Sequence, residues 1–547
     1  MKKRIWILFV IYSISSFSQD AGGNRVTVVE TLDAQIIEFK KIKEVAFFTD
    51  TSKLNKSQDF SFIRRGISSD YKFRELSAAK VSKEVPKDMF DKRFFGSLGT
   101  HTSKNLGFLY DNFKNDYYTY GLSVNYFDNG FKVRNIDASS NNTDLLLYAK
   151  FIRKNILFFI DASYNANTHY AYGYQEGDFA TEEMSQDLFS NSFTSSKISV
   201  STISNNNDPK LIDYSARFFV SDLNQGRENR LHLSSEIKKH IHVYPFSLQF
   251  EFDKYMNHDE SNSKTNDVTL AALSPSISID KYDFNFDLTI GIDYSSEFGV
   301  DIFPSLISEK EIVDNILIIS AGIESHKYRN TYKLLSDRNP YIHAYNIDQY
   351  ASYFNDNQDL RTTESRHCFF AVKNRIGKDE YMKAGLQYGF VENLPSFKNN
   401  YSTPLNMFLV DYQDLWQLKA SLEYEWRISR LFEVNFNSSY YNWGKDTVSH
   451  RSNIEFSTDL IINLREKLNI NMELNYFGRS YVLNNDDRYH LNQLNSRYHI
   501  NLDINYDYSK SLSTYLRILN MSNSRKDIWL GYQEMGINAH FGFSYSF

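Results

Sequence analysis

The chain has 547 residues, of which 16% are aromatic, with only 8 prolines, 22 glycines and 1 cysteine. The single cysteine excludes a disulfide framework and a cysteine-based zinc site. A net charge of -6 excludes the basic excess of a protein that binds nucleic acid. Few prolines and glycines beside many aromatic residues exclude disorder over most of the length. The composition favours many β-strands, each apolar on one side only.

The first 18 residues have the pattern of a secretory signal peptide. The cationic segment Lys2–Arg4 precedes the apolar run Ile5–Ile14, and small residues follow before Gln19. The apolar run is too short for a membrane-spanning helix, which needs about 20 residues. We therefore expect cleavage after Ser18 and export to the cell envelope. No later window is apolar enough to form a spanning helix, so a membrane protein with this sequence has to be a closed β-barrel.

Apolar and polar residues alternate strictly along several long segments. The segment Trp416–Ile428 does so throughout, and the pattern recurs in Tyr282–Tyr294, Leu468–Tyr476 and Tyr498–Tyr506. A soluble β-sandwich also alternates, but its strands average about 5–6 residues, which is shorter than these segments. Aromatic residues at both ends of the apolar face, as at Trp416 and Trp426, are typical of the two aromatic girdles of a membrane barrel.

Short charged turns alternate with longer polar connections, as in outer-membrane barrels. We therefore predict an all-β fold, a transmembrane antiparallel β-barrel of the outer-membrane type, with about 22 strands. The predicted strand starts lie near residues 93, 105, 117, 142, 156, 194, 211, 229, 243, 267, 282, 301, 314, 366, 379, 416, 431, 451, 467, 496, 511 and 535. Because Pro304 interrupts one strand, an error there would leave 20 strands. The predicted long connections lie at 166–193, 256–266, 326–365, 393–415, 443–450, 479–495 and 522–534.

These elements predict three parts of the chain: a signal peptide at 1–18, a periplasmic N-terminal segment at 19–92 and the barrel at 93–547. The last strand ends in alternating aromatic residues, Phe541, Phe543, Tyr545 and Phe547. A terminal strand of this kind looks like the signal that the outer-membrane assembly machinery reads. We therefore expect that machinery, outer-membrane lipid and other envelope proteins as partners, and no nucleic acid.

Alternation also places charged side chains on the lumen face of the predicted strands. These residues include Asp283, Asp287, Lys419, Glu423, Arg427 and Asp503. Since both signs occur, we interpret them as internal salt bridges that brace the wall, with a selectivity filter as the alternative. An empty lumen of 22 strands would be a wide hole. We therefore expect loops, the N-terminal segment or another protein to fill it.

The segment from Ile518 to the terminal strand resembles the final hairpin of TonB-dependent receptor barrels. The matching positions are Asn520, Asn523, Gly531, Tyr532 and Gly536. With the phrase Phe94–Thr100 at the start of the predicted barrel, the chain is similar to receptor-like outer-membrane proteins of Bacteroidota. The resemblance implies a 22-strand barrel in the cell outer membrane.

Two further features bear on that resemblance. Val26, Val28 and Val29 resemble part of a TonB box, the short segment by which such receptors engage TonB, so they form a possible TonB-box-like or partner segment. Receptors of this class also carry a plug domain inside the barrel, which is longer than the 74 residues of the segment 19–92. We therefore expect no full plug. Without one, the resemblance does not by itself imply energised import by this chain.

Candidate chemical sites are weak in this sequence, and we expect neither an enzyme nor a cofactor. His232, Ser234 and Glu236 share one strand face and could form a barrel-embedded hydrolase, although alternation alone produces such a set. Two loop segments, 355–359 and 484–487, are rich in oxygen ligands that suit Ca²⁺ but lack the spacing of an EF-hand. The three tyrosines Tyr170, Tyr172 and Tyr174 could contact a sugar or a partner, or extend the girdle.

The leading functional hypothesis is an integral outer-membrane barrel, receptor-like without a full plug, that is a subunit or partner of an outer-membrane protein complex. The alternative is a porin-like or TonB-linked channel for solute uptake. A hydrolase is a remote third possibility.

Overall fold

In the computed structural model, 22 antiparallel strands form one closed sheet, and the last strand pairs with the first. The structure describes residues 90–112, 117–133, 136–173, 190–204, 206, 211–224, 228–257, 267–342, 360–400, 406–444, 448–465, 467–482 and 493–547. All of these belong to one unit, Val85–Phe547. The predicted signal peptide, nearly all of the segment 19–92 and the predicted TonB-box-like residues Val26, Val28 and Val29 lie outside the described residues.

The strands follow one another around the barrel in chain order. They are β1 (Lys92–Gly99), β2 (Lys104–Asn112), β3 (Tyr118–Asn129), β4 (Ser140–Arg153), β5 (Ile156–Tyr170), β6 (Ser190–Ser204), β7 (Asp213–Leu223), β8 (Glu228–Ile241), β9 (Tyr244–Asn257), β10 (Val268–Lys281), β11 (Phe284–Ser295), β12 (Gly299–Val313), β13 (Leu317–Arg329), β14 (Thr362–Asn374), β15 (Glu380–Asn400), β16 (Met407–Arg427), β17 (Phe432–Asn442), β18 (Ile454–Leu464), β19 (Leu468–Phe477), β20 (Arg497–Asp507), β21 (Leu512–Leu519) and β22 (Asn538–Ser546). Among the described residues, one helix, α1 (Tyr332–Arg338), lies between β13 and β14. The predicted barrel of 22 strands is therefore confirmed.

The two faces of the wall follow from the alternation. In β11 the apolar Leu288, Ile290 and Ile292 are exposed, whereas Asp287 and Thr289, on the opposite face, are partly covered. An exposed apolar band on the outside of a closed barrel is the surface that meets lipid, and closure leaves no strand edge in the hydrocarbon. The fold is therefore that of an outer-membrane barrel. Within the described residues, no helix has the length and apolar character needed to cross a membrane.

Every connection longer than eight residues lies on the same side of the barrel, which agrees with the predicted arrangement, although the shorter connections do not alternate strictly in length. Two-residue turns join β4 to β5 and β8 to β9, whereas α1 and further chain separate β13 from β14. The first strand begins and the last strand ends on the side of the short turns. In outer-membrane barrels this is the periplasmic side. The long connections therefore lie on the external side, and we call this end of the barrel the external mouth.

The expected loop at 393–415 was wrong. Strands β15 and β16 each have 21 residues and pair with one another as far as Asn400 and Met407, with a bulge between Val391 and Leu394. The sequence suggested a loop because this extension has no apolar face for lipid. Its apolar residues pack against other loops instead. Phe397 and Phe408, for example, both contact Trp529.

Asp283 was also placed wrongly. It lies with Tyr282 in the two-residue turn between β10 and β11, and both residues have positive φ angles, 54° and 63°. Two positive φ angles are the geometry of a tight hairpin turn that follows the twist of its strands. Strand β11 consequently begins at Phe284, and Asp283 is an exposed turn residue on the short-turn side instead of a lumen-facing one.

Pro304 does not break its strand, but the strand is unpaired on one side at this position. β12 is continuous from Gly299 to Val313, and Pro304 lies opposite Ile290 of β11. Pairing of β12 with β13 starts only at Leu306, so within the fully described stretch 299–329 the segments 299–305 and 324–329 are not paired with each other. A proline cannot donate a ladder hydrogen bond, which agrees with its position next to this unpaired stretch.

Candidate functional site at the external mouth

Loops from the external side pack together into an apolar core. We call this set of side chains the loop core. Its buried members are Val133, Ala138, Tyr172, Phe193, Leu223, Tyr332, Leu335, Ile342, Leu360, Phe397, Phe408 and Tyr532. They come from four external connections and from the external ends of β6, β7, β15 and β16, so these segments form one packed assembly and not separate surface excursions.

Asn406 shows that the loops meet across the mouth. Its Nδ2 donates hydrogen bonds to the carbonyl oxygens of Gly173, at 3.1 Å, and of Leu530, at 2.8 Å. Gly173 follows β5 and Asn406 precedes β16, so the two are anchored on opposite walls of the 22-strand barrel. A barrel of this size is about 40 Å across, given strands about 4.8 Å apart and tilted by about 40°. The loops must therefore run inward over the mouth to meet.

Tyrosine rings form the centre of the loop core. The ring of Tyr532 is fully buried and stacks on Tyr341 with 3.8 Å between centroids, and Tyr172 packs edge-on against it at 5.0 Å. The Tyr172 hydroxyl donates to the carbonyl oxygen of Gln533 at 2.8 Å. Burial raises the pKa of Tyr341 to about 12 and that of Tyr172 well above its ordinary value. The phenols are therefore neutral, and they join three loops by apolar contact and hydrogen bonds.

His450 joins a further connection, the one between β17 and β18, to this assembly. Its Nδ1 lies 3.1 Å from the carbonyl oxygen of Phe397, and its Nε2 lies 3.2 Å from the backbone nitrogen of Leu530. The Phe397 carbonyl accepts and the Leu530 N–H donates, so Nδ1 carries the proton and Nε2 accepts. Burial lowers the pKa of His450 to about 4. The ring is therefore neutral, with its one proton on Nδ1.

Acidification is expected to weaken the His450 contacts. An exposed histidine has a pKa of about 6.5, so the open loops bind a proton more readily than the closed ones, in which the pKa is about 4. The stabilisation is fully present above about pH 6.5 and is lost as the pH falls towards 4. Between pH 7 and 5 the loss is about 2 kcal/mol, or roughly twentyfold. Hydrogen exchange at the Leu530 amide, relative to the intrinsic exchange rate, measures it.

The control for that experiment is His450→Gln, because glutamine cannot titrate. Glu534 makes the control necessary, since burial raises its pKa to about 7 and its protonation on acidification favours the closed state. The protection of wild type relative to His450→Gln should fall about twentyfold from pH 7 to 5. A ratio that stays constant over this range would contradict the assigned role of His450.

The helix α1 is anchored to the barrel wall. Thr331 caps its N-terminus, and the Glu228 carboxylate at the start of β8 accepts a 2.7 Å hydrogen bond from the backbone nitrogen of Tyr332. After the helix, Asn191 of β6 donates to the carbonyl oxygens of Pro340 and Ile342 at 2.7 and 2.8 Å. The loop between β13 and β14 is thus attached to strands on a distant part of the wall.

A cavity of about 580 Å³ lies on the inner wall beside α1. We call it the wall cavity. Among its lining residues, Arg230 lies 2.8 Å and His232 lies 2.9 Å from the same oxygen of Asp253. On the other side of the cavity Lys327 lies 2.8 Å from Glu364. The wall here is polar, and its charges are paired across neighbouring strands.

The remaining predicted lumen charges lie on inner-face positions of their strands. Asp503 lies 2.5 Å from Arg517, and Glu423 lies 3.5 Å from Lys383. The remaining contacts are Arg427 with Glu433 at 3.3 Å, Lys419 over the ring of Tyr441, and Asp287 with the hydroxyl of Ser278. These contacts support the bracing interpretation more than a filter, because the charges engage neighbours on adjoining strands.

The terminal aromatic residues lie on the outer face. Phe541, Phe543 and Tyr545 are exposed members of β22, and Phe547 follows it. β22 pairs with both β21 and β1, so the segment that resembles an assembly signal is also the one that closes the barrel. The role of these side chains in assembly stays a prediction.

The other candidate residues are placed as follows. His232 contacts Asp253 and stacks on Phe219, and within the described contacts it has no hydrogen bond to Ser234. Tyr172 is buried in the loop core and therefore neither extends the girdle nor presents a ring to a partner. Tyr174 and the two oxygen-rich loop segments lie outside the described residues.

Sequence reasoning missed the residues that hold the loops together. Asn406 and His450 had no pattern around them, and Tyr532 was noted only for its place in the final hairpin. A usable signal was the aromatic content of the external loops, because exposed loops rarely need Tyr, Phe and Trp.

No protein-family model and no curated protein matches the chain. Several solved structures match it. The siderophore receptor PirA from Acinetobacter baumannii has a TM-score of 0.62 at 12% identity, covering 84% of this chain and 81% of its own. The ferric-catecholate import receptor Fiu from E. coli K12 has 0.60 at 8%, covering 84% and 82%. The FrpB iron transporter from Neisseria meningitidis has 0.62 at 10%, covering 83% and 81%. At these identities the likeness establishes the shared receptor-barrel fold.

Proposed function

We propose that this chain is an outer-membrane receptor for ligand uptake, with a mouth that its own loops close until a ligand or a partner displaces them. The observation that carries the proposal is the pair of hydrogen bonds from Asn406 to loops anchored elsewhere on the wall. A passive porin needs an open path, whereas here opening exposes several buried aromatic side chains. Burying one such side chain contributes about 1.5–3 kcal/mol.

The ligand class that we propose is an iron chelate. The support is the fold shared with proteins described as a siderophore receptor, a ferric-catecholate import receptor and an iron transporter. The polar wall cavity of about 580 Å³ is of a size that holds a small chelate. Participation of TonB through Val26, Val28 and Val29 belongs to the same proposal.

Two measurements test the uptake proposal. The purified full chain in planar lipid bilayers should give no large, stable conductance, because the closed mouth bars ion flow. Cells that carry the chain should accumulate radioactive iron from a ferric catecholate faster than cells that lack it. Large, stable currents would overturn the closed receptor in favour of the porin alternative. Equal iron accumulation in the two strains would overturn the proposed ligand class.

A subunit of an outer-membrane complex is the second candidate, and the gap beside β12 favours it. The segment 299–305 is unpaired on its β13 side, and its outer face carries Val300 and Ile302, which are more than half exposed. Unpaired backbone in a membrane barrel is unfavourable, and a partner strand or loop can cover it. Stoichiometric co-purification with another envelope protein, without iron accumulation, would favour this candidate over uptake.

A further inference from the structure

Two imidazoles and one carboxylate face one another on the inner wall. Glu324 of β13 lies directly opposite His367 of β14, and His326 lies two residues beyond Glu324 on the same face. His326 also lines the wall cavity on the inner side of the barrel. All three polar side chains are therefore held on the lumen side by a continuous ladder between two strands.

The distances between these groups suit a metal ion. An oxygen of Glu324 lies 3.6 Å from Nε2 of His326 and 3.4 Å from Nε2 of His367. A tetrahedral ion with bonds of about 2.0–2.1 Å needs ligand atoms about 3.3 Å apart. The three candidate atoms all lie within 4.8 Å of one another, so small side-chain rotations suffice to close the set around one ion.

His367 provides a separate reason to expect a ligand. Its Nε2 atom is buried, and the Glu324 oxygen 3.4 Å away does not meet hydrogen-bond geometry. A buried nitrogen that makes no hydrogen bond costs about 1–3 kcal/mol. Binding a metal ion satisfies that atom, and the exposed side chain of His326 leaves the site open to the lumen.

The neighbouring cationic side chains form their ion pairs with carboxylates other than that of Glu324. Lys327 is engaged with Glu364 at 2.8 Å and Asp293 at 3.7 Å, and Arg366 lies 3.1 Å from Asp301. Lys and Arg therefore already have acidic partners of their own. The negative charge of Glu324 is directed at the two imidazoles, which are neutral ligands for a cation.

We propose that Glu324, His326 and His367 bind one divalent first-row transition-metal ion, with Zn²⁺ as the reference ion, on the inner wall of the barrel. Two imidazoles and a carboxylate suit zinc and its neighbours, whereas Mg²⁺ and Ca²⁺ prefer all-oxygen sites. Three protein ligands leave at least one coordination position for water or for a group entering from the lumen.

The test is a Zn²⁺ titration of the chelator-treated full-length protein in detergent, in competition with a chromophoric chelator. Wild type should bind one equivalent at the site, and Glu324→Gln and His367→Gln should each weaken that binding at least tenfold. His242→Gln is the control, because it removes an exposed histidine in the turn between β8 and β9 and should leave the affinity unchanged. Co²⁺ in place of Zn²⁺ should give visible absorption that both site variants lose.

Heat-modifiable migration on a gel shows whether each variant still forms the barrel. If one of the two site variants does not fold, His326→Gln, at the exposed position, is tested in its place. An excess of Mg²⁺ should not displace Zn²⁺. The proposal is overturned if wild type binds no Zn²⁺, or if the site variants bind it as tightly as wild type. Because the titration uses purified protein, its outcome is independent of the proposed uptake function.

Discussion

Replacing Tyr532 with alanine is expected to open the external mouth. The ring is fully buried and contacts Tyr341 and Tyr172 of two other connections and Phe408 at the external end of β16. Removing a buried aromatic ring costs about 3–5 kcal/mol. Since every 1.4 kcal/mol is tenfold, the open population should rise about a hundredfold or more. The barrel itself should persist, because its strand pairs do not depend on the loop core.

Limited trypsin digestion of the protein in detergent measures this opening. Cleavage after Lys333 and Arg338 of α1 should accelerate about a hundredfold, since cleavage follows the open population when closing is fast. The matched control is Tyr508→Ala, which removes an exposed tyrosine from the short turn between β20 and β21. If Tyr532→Ala is cleaved no faster than Tyr508→Ala, the loop core does not hold the mouth closed.

A charge on the lipid face of β11 is expected to impair the barrel, whereas a charge on its lumen face is not. Ile290 is an exposed outer-face residue near the middle of the strand, and Thr289 beside it lines the wall cavity. A lysine at the lipid-facing midplane of a barrel costs about 2–4 kcal/mol. Ile290→Lys should therefore lose that much folding free energy, and Thr289→Lys should lose less than about 1 kcal/mol.

Denaturant unfolding in lipid vesicles compares the two variants, which differ by one position and introduce the same side chain. Heat-modifiable migration in outer-membrane fractions gives a second readout. If Thr289→Lys were as damaging as Ile290→Lys, the assignment of inner and outer faces would be wrong, and with it the membrane-facing surface.

The wall of the barrel was predictable because its signal is local. Each strand alternates with period two, and a residue such as Ile290 reports its face without reference to the rest of the chain. The limits of that signal are visible at Asp283, where alternation continues into a tight turn that it cannot recognise. They are also visible at the predicted loop 393–415, where strands continue after their apolar residues stop facing lipid.

The closed mouth was not predictable for the opposite reason. Asn406 and Gly173 are 233 residues apart in sequence, and neither has a local pattern that implies the contact. The polar composition of the external loops suggested solvation, but their tyrosines and tryptophans find partners only after the barrel has brought distant loops together. The cross-strand set of Glu324, His326 and His367 likewise depends on the register between β13 and β14.

Hydrogen exchange in the Asn406→Ala variant tests the closed mouth most directly. The variant removes the two hydrogen bonds that join Asn406 to Gly173 and Leu530, so exchange should accelerate at least tenfold in peptides that contain 171–173 and 527–533. The control Asn442→Ala removes a local bond to the backbone of Gly444 and should change exchange only nearby. Faster exchange confined to the residues around Asn406 would mean that the loops do not meet across the mouth.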